Sequence, residues 1–259
     1  MSRSPTLWVE PGELLGHRWD PAYWDPGLRD PLARCAFPVA ELGEFIPEGG
    51  IKYGRILPGR RPPEGDGPLY VTQRSIRPTG FDPGACVRIE EGCAWDTPQH
   101  RVLHNDLLLP RSGVGTLARG VMAVFQQDDS AVVDCFTDRV CLEGYSSTVV
   151  ALFLRTPQGW LQIHRLINGV GPPNISFGEI RGLQVPLFPG PLVEAIEARH
   201  RRVQRAHLAH LARRESVRTA GRESTVDPHC SELARAASRE LVAALAAVSA
   251  WVEGEALPG

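Results

Sequence analysis

HNDLLLPRSGVGTLARG, residues 104–120, sets three adjacent leucines against a loop punctuated by glycine. DLLLP (106–110) is an apolar run bounded by Asp and Pro, which reads as a short strand. The glycines of RSGVGTLARG read as tight turns that pack strands together. Ser112 sits in RSGVG, but the segment lacks the Gly-Lys-Ser/Thr of a phosphate loop. The stretch therefore points to a strand-and-turn scaffold.

Working outward, the same pattern repeats. GVMAVF (120–125) and AVVDCF (131–136) are further apolar runs, with QQDDS (126–130) placed to join them as a hairpin. Upstream, LYVTQRSI (69–76) mixes β-branched and aromatic residues with polar ones, and PTGFDPG (78–84) is a turn cluster. Downstream, YSSTVVALFLRTPQG (145–159) predicts a helix from about Ser147, capped by Ser146 or Ser147 and ended by Pro157 and Gly159.

Beyond Pro191 the period changes. Leu192, Ile196, Val203, Leu208 and Leu211 fall near helical spacing, and Pro191 suits a first turn. GRESTVDP (221–228) breaks the pattern. A second helix follows, with Leu233, Leu241, Leu245, Val248 and Val252 as its apolar stripe. The fold class is α+β: an irregular, mostly antiparallel sheet domain followed by a C-terminal helical hairpin. Three regions follow. Residues 1–45 form a Pro/Trp-rich lead-in packed by Trp19, Tyr23 and Trp24, residues 46–190 a sheet domain, and residues 191–259 a helical dimerisation or partner-binding segment.

Net charge is −2, which excludes a wholesale polyanion binder. Its distribution is uneven: residues 51–120 carry 10 basic and 7 acidic groups, and residues 191–226 carry 8 and 4. Lys52 is the only lysine. No run approaches the roughly 20 apolar residues of a membrane helix, and the N-terminus lacks a secretory h-region, so a cytoplasmic location and no membrane association are expected. The six cysteines, at 35, 86, 93, 135, 141 and 230, have neither C-x-x-C nor zinc-finger spacing and read as buried thiols.

Catalytic patterns are missing. There is no G-x-S-x-G and no H-E-x-x-H, and Glu48 and Lys52 are wrongly spaced for a nuclease core. GPPN (171–174) has its prolines in the wrong order for an amino-methyltransferase. His100 and His104, and His207 and His210, are pairs without an evident third metal ligand. No metal, cofactor or reaction is expected from the chain itself.

Five segments, in order, carry a resemblance. They are RWDPAYW (18–24) before PVAELGEFI, GGIKYGRILPG (49–59), GPLYVTQRSIRPTGFD (67–82), HNDLLLPRSGVGTLARGVMAVF (104–125) and NISFGEIRGLQVPLFPGPLVEAI (174–196). Together they resemble the specificity subunits of type I restriction-modification systems, over about residues 18–214. Phe188 stands where the family's exit motif has proline, and the following helix lacks its glutamine. The family carries two recognition domains in tandem, whereas this chain resembles one half.

The resemblance implies a non-catalytic reader of double-stranded DNA in a phage-defence complex. Its partner would be a DNA methyltransferase subunit, and it could homodimerise through the C-terminal helices. Base reading needs directed donors and acceptors on a stiff scaffold. Tyr53, Arg55, Arg60, Arg61, Thr72, Gln73, Arg74, Ser75 and Arg77 are the candidate base contacts, with Arg101, Arg111 and Arg119 as phosphate anchors. Two other readings compete: a protein-interaction adaptor in a defence or DNA-repair complex without base readout, and a nuclease with unrecognised catalytic residues.

Overall fold

Three leucines in a row can all be buried only if the strand that carries them is covered on both faces. The computed structural model has that arrangement. Leu107 and Leu109 enter the main core while Leu108, on the opposite face, enters a second one. The structure describes residues 21–25, 30–57, 60–167, 173–221 and 227–255. Trp19, Arg18, Pro58, Gly59, Gly171 and Pro172, used in the sequence reading, lie outside the described residues.

The leucine strand β8 (Leu107–Pro110) lies in a four-stranded sheet, ordered β2-β11-β8-β9, with β2 (Ile51–Tyr53), β11 (Thr137–Val140) and β9 (Ala123–Val124). A second sheet is ordered β6-β3-β10-β7, from β6 (Val87–Ile89), β3 (Glu64–Val71), β10 (Ala131–Val133) and β7 (Arg101–Val102). Its β3–β10 pair is parallel, while the other described pairings are antiparallel. A hairpin of β4 (Ile76–Arg77) and β5 (Gly80–Phe81), and a pair of β1 (Val39–Glu41) with β12 (Gln184–Pro186), complete the sheets. The α+β class holds.

Two local expectations fail. QQDDS is not a hairpin: β9 pairs with β8, whereas β10 leaves for the other sheet and pairs with β3 and β7. The first predicted helix, α1 (Ser147–Phe153), is capped by Ser146 as expected. Pro157, however, opens a second helix, α2 (Pro157–Leu166), capped by Thr156. Proline fits the first turn of a helix as well as it ends one. A short α3 (Phe177–Arg181) follows, opened by a Ser176/Glu179 capping box.

The lead-in aromatics pack as anticipated where they are described. Trp24 is buried, and Arg165 lies 4.1 Å above the Tyr23 ring while donating to the Tyr23 carbonyl at 2.7 Å. All six cysteines are free thiols. Only Cys230 is fully buried and the other five are half-buried, so the expectation of buried thiols holds for one of them.

The long helices α4 (Gly190–Thr219) and α5 (Pro228–Val252) run antiparallel, as the contacts Arg199–Trp251, Arg202–Glu240, His210–Cys230 and Arg213–Asp227 require. Leu192, Ile196, Val203 and Val217 of α4 face inward, and Ala237, Leu241, Ala244, Val248 and Trp251 of α5 are buried. Leu208, placed in the stripe by spacing, is instead half-exposed, and the neighbouring His207 takes the inward position. Among the described residues, no helix is long and apolar enough to cross a membrane.

His207 shows why a histidine suits that seam. Its Nε2 faces the Phe81 carbonyl at 3.0 Å and so must donate, leaving Nδ1 to accept from the Thr79 hydroxyl at 2.8 Å. Burial lowers its pKa, which keeps the ring neutral and preserves this donor–acceptor pattern. About two turns further, Arg214 reaches Asp82 at 2.8 and 3.0 Å. Together the two side chains fasten α4 to the β4–β5 hairpin, and with it to the sheet domain.

Candidate nucleic-acid interface

Four segments far apart in sequence meet at one junction. The N–H of Gly54 donates to the Asp134 carbonyl at 2.9 Å, and the N–H of Asp134 donates to the Val71 carbonyl at 2.8 Å. A Cβ on Gly54 would lie 1.8 Å from the Val133 carbonyl oxygen, so glycine is the residue that permits this approach. From there the chain turns at residues 73–75, and Gln73 bridges the remaining loops. Its amide donates to the carbonyls of Ser112 and Phe136, both at 2.8 Å, and its oxygen lies 3.2 Å from the Thr116 hydroxyl. The N–H of Arg111 also donates to the Phe136 carbonyl, at 2.8 Å. Gly113, with φ of 109°, makes the turn beyond it.

Arg111 is the best-organised cation at this junction. Its guanidinium lies 4.1 Å from the Tyr53 ring centre and 5.3 Å from that of Phe177. Behind it, 3.8 Å away, is Asp138, a fully buried carboxylate whose two oxygens have no hydrogen-bond partner. Burial pushes the Asp138 carboxyl up to about 7; Arg111 opposes the shift and Asp134 adds to it. Asp134 itself is pushed up to about 6 by burial, against its hydrogen bonds to Thr137 and Phe136. The aromatic faces and the buried acid hold Arg111 in one orientation, one-third exposed.

This arrangement has a pH consequence. Both folded-state pKa values are raised, so between the unfolded value near 3.8 and about 7 the native state holds more protons than the unfolded one. Stability contributed by these groups is therefore full on the acid side and is lost as pH rises through that window. We expect unfolding free energy to fall between pH 5 and pH 8 by as much as about 4 kcal/mol. Asp138→Asn should flatten much of that slope in denaturant titrations repeated across pH. A wild-type slope unchanged in the variant contradicts the assignment.

The structure sorts the remaining sequence candidates. Arg60, Arg61, Arg74 and Arg119 are exposed, and their side chains have no ion-pair or hydrogen-bond partner among the described residues. Arg55 donates to the Ala94 carbonyl at 3.2 Å, Arg77 pairs with Asp82 at 3.4 Å, and Arg101 with Asp96 at 2.5 Å. Thr72 caps the turn by accepting from the N–H of Arg74. Two candidates are corrected in physical terms. Ser75 is fully buried and donates to the Thr72 carbonyl, so it cannot reach a base. Gln73 has its amide committed to main-chain carbonyls and acts as a brace. Arg119 is separate from the Arg111 junction and borders a 460 Å³ hollow with Arg155, Trp160 and Leu245.

Sequence reasoning missed Asp138, Phe177 and Phe136. The first two are ordinary in sequence and gain meaning only by lying against Arg111. Phe136 reads in sequence as the end of an apolar run, and only the structure shows it 56% exposed.

No family model matches the chain, and no curated protein matches it. Solved structures do. The S subunit of a type I restriction-modification system from M. genitalium matches with 12% identity and a TM-score of 0.46, over 71% of this chain and 44% of that one. The chain is similar to specificity subunits of type I restriction-modification systems. The HsdS subunit from Thermoanaerobacter tengcongensis matches at 16% identity, TM-score 0.44, over 81% and 44% of the two chains. A structure described under complex assembly and conformational transition of the type I R-M system matches at 15% identity, TM-score 0.45, over 81% and 45%. The chain spans less than half the length of these specificity subunits.

Proposed function

We propose that this chain recognises a specific double-stranded DNA sequence as the specificity component of a restriction-modification or related phage-defence complex, and that catalysis resides in a partner methyltransferase or nuclease subunit. The observation that carries the reading is the junction built around Arg111 and Gln73. There a strand end, a turn and two loops are cross-braced into a stiff face carrying an oriented guanidinium and the unpaired Arg74. Base reading requires such rigidity, because a bidentate contact discriminates only if its donor is already placed. Arg60, Arg61 and Arg74 are suited to phosphate, since a solvated cation binds a backbone without surrendering an internal partner.

Residues 46–190 are taken as the recognition domain and 191–259 as the segment that holds partners. The seam between α4 and α5 is filled within the chain, so a second copy or a methyltransferase subunit would use the outer faces. Leu208 and Val242, 50% and 66% exposed, mark those faces. The cytoplasm is the compartment this role requires.

Enrichment of a randomised duplex pool by the purified chain tests the reading. One motif should emerge, and affinity for it should fall with salt by about 0.9 in log–log slope for each phosphate contacted. Arg74→Ala should reduce that slope by about 0.9 while leaving the motif unchanged. Recovery of a random pool contradicts the proposal. Metal-dependent cleavage by the chain alone would favour a nuclease.

A further inference from the structure

Phe136 and Val114 are large apolar side chains left 56% and 71% exposed on two loops that the same glutamine ties together. Isolated exposed apolar residues are ordinary on protein surfaces. These two differ in how firmly they are mounted. The Phe136 carbonyl accepts from Gln73 and from the N–H of Arg111, and its own N–H donates to Asp134 at 3.0 Å. The loop bearing Val114 is closed on the other side by the bond from the Gly113 N–H to the Pro173 carbonyl at 3.1 Å and by the Ser112–Asn174 bridge. Nearby Leu117 is fully buried, so the fold had a core within reach that these two side chains do not enter.

We infer that Phe136 and Val114 are specificity-determining residues that read the C5-methyl group of thymine in the major groove. The inference rests on the DNA-recognition reading above. Cations sit on the same braced segments: Arg111, whose main-chain N–H bonds the Phe136 carbonyl, and Arg74 on the turn that begins at Gln73. An apolar partner protein would leave those charges unmatched. Duplex DNA offers anionic phosphates around a groove floor whose apolar base-edge group is the thymine methyl. Neither side chain carries a hydrogen-bonding group, so the pair can distinguish thymine from cytosine by contact with that methyl and by nothing polar.

The test uses the motif that the wild-type chain enriches from a randomised duplex pool, synthesised once with thymine and once with uracil in its place. Wild-type affinity should drop roughly four-fold for each thymine contacted, the worth of one buried methyl group. Phe136→Ala and Val114→Ala should each lose the thymine-over-uracil preference at the position their own side chain contacts, with motifs degraded at T·A positions but not at G·C positions. Their melting temperatures should match wild type, because the substituted side chains are exposed. Equal wild-type binding to both duplexes, or an intact motif in both variants, overturns the inference while leaving DNA recognition standing. Failure of the wild-type chain to enrich any motif overturns both.

Discussion

Replacing Gly54 with alanine is expected to lower unfolding free energy by about 3 kcal/mol or more. The added methyl would meet the Val133 carbonyl oxygen at 1.8 Å, and the carbonyl carbons of Val133 and Asp134 at 2.7 and 2.8 Å. All three atoms are main chain, so no rotamer change relieves the overlap. The strand end must move away from β10, breaking the bond from Gly54 to Asp134 and loosening the face that Gln73 braces. DNA binding should fall with stability. Gly115→Ala is the control: nothing lies within 4 Å of its Cβ position, so the change should stay within about 0.5 kcal/mol. Denaturant midpoints of the two variants make the comparison, and a loss below about 1 kcal/mol for Gly54→Ala contradicts the packing described.

The second large effect is expected at Asp82. Its carboxylate is fully buried and accepts from Arg214 at both oxygens, at 2.8 and 3.0 Å, with Arg77 at 3.4 Å. Removing one partner of a buried pair strands the others. The penalty reaches about 3–5 kcal/mol when they cannot find water. Arg214 and Arg77 are 32% and 45% exposed, so Asp82→Ala should cost less, about 2–3 kcal/mol. The loss should be specific in place. The β4–β5 hairpin and the second half of α4 should gain amide exchange, because Asp82 and His207 are the side-chain links between them. Protection unchanged in that half of α4 would show that the docking depends on something else.

Much of the architecture was legible because it was written in local chemistry. DLLLP between Asp and Pro reads as a short strand, and the Pro191 start with the break at 221–228 marks two helices. What failed was partner choice. The residues around QQDDS suit a turn equally well whether the chain doubles back or crosses to another sheet. The crossing is decided by β10 pairing in parallel with β3, some sixty positions upstream. Pro157 was ambiguous for a similar reason, since a helix stop and a helix start use the same residue, and Thr156 was the cap that decided it.

The candidate interface was half legible. Arginine, glutamine and tyrosine at 53–77 marked a polar surface, and Arg111 a cation beyond it. Residue type alone cannot say where a donor points. Gln73 and Ser75 carry the same groups whether they face a base or a carbonyl of their own chain, and here both face inward. Arg111 became notable only once Tyr53, Phe177 and Asp138, from three different elements, were found around it.

The central claim is that the Arg111–Gln73 junction reads DNA sequence. The most direct measurement is the affinity ratio between the enriched duplex and a scrambled one of equal composition, for wild type and for Arg111→Ala, at constant salt. The account predicts a ratio of at least about a thousand for wild type, falling by ten-fold or more in the variant. A wild-type ratio near one contradicts it, and a ratio that Arg111→Ala leaves unchanged moves any recognition away from this junction.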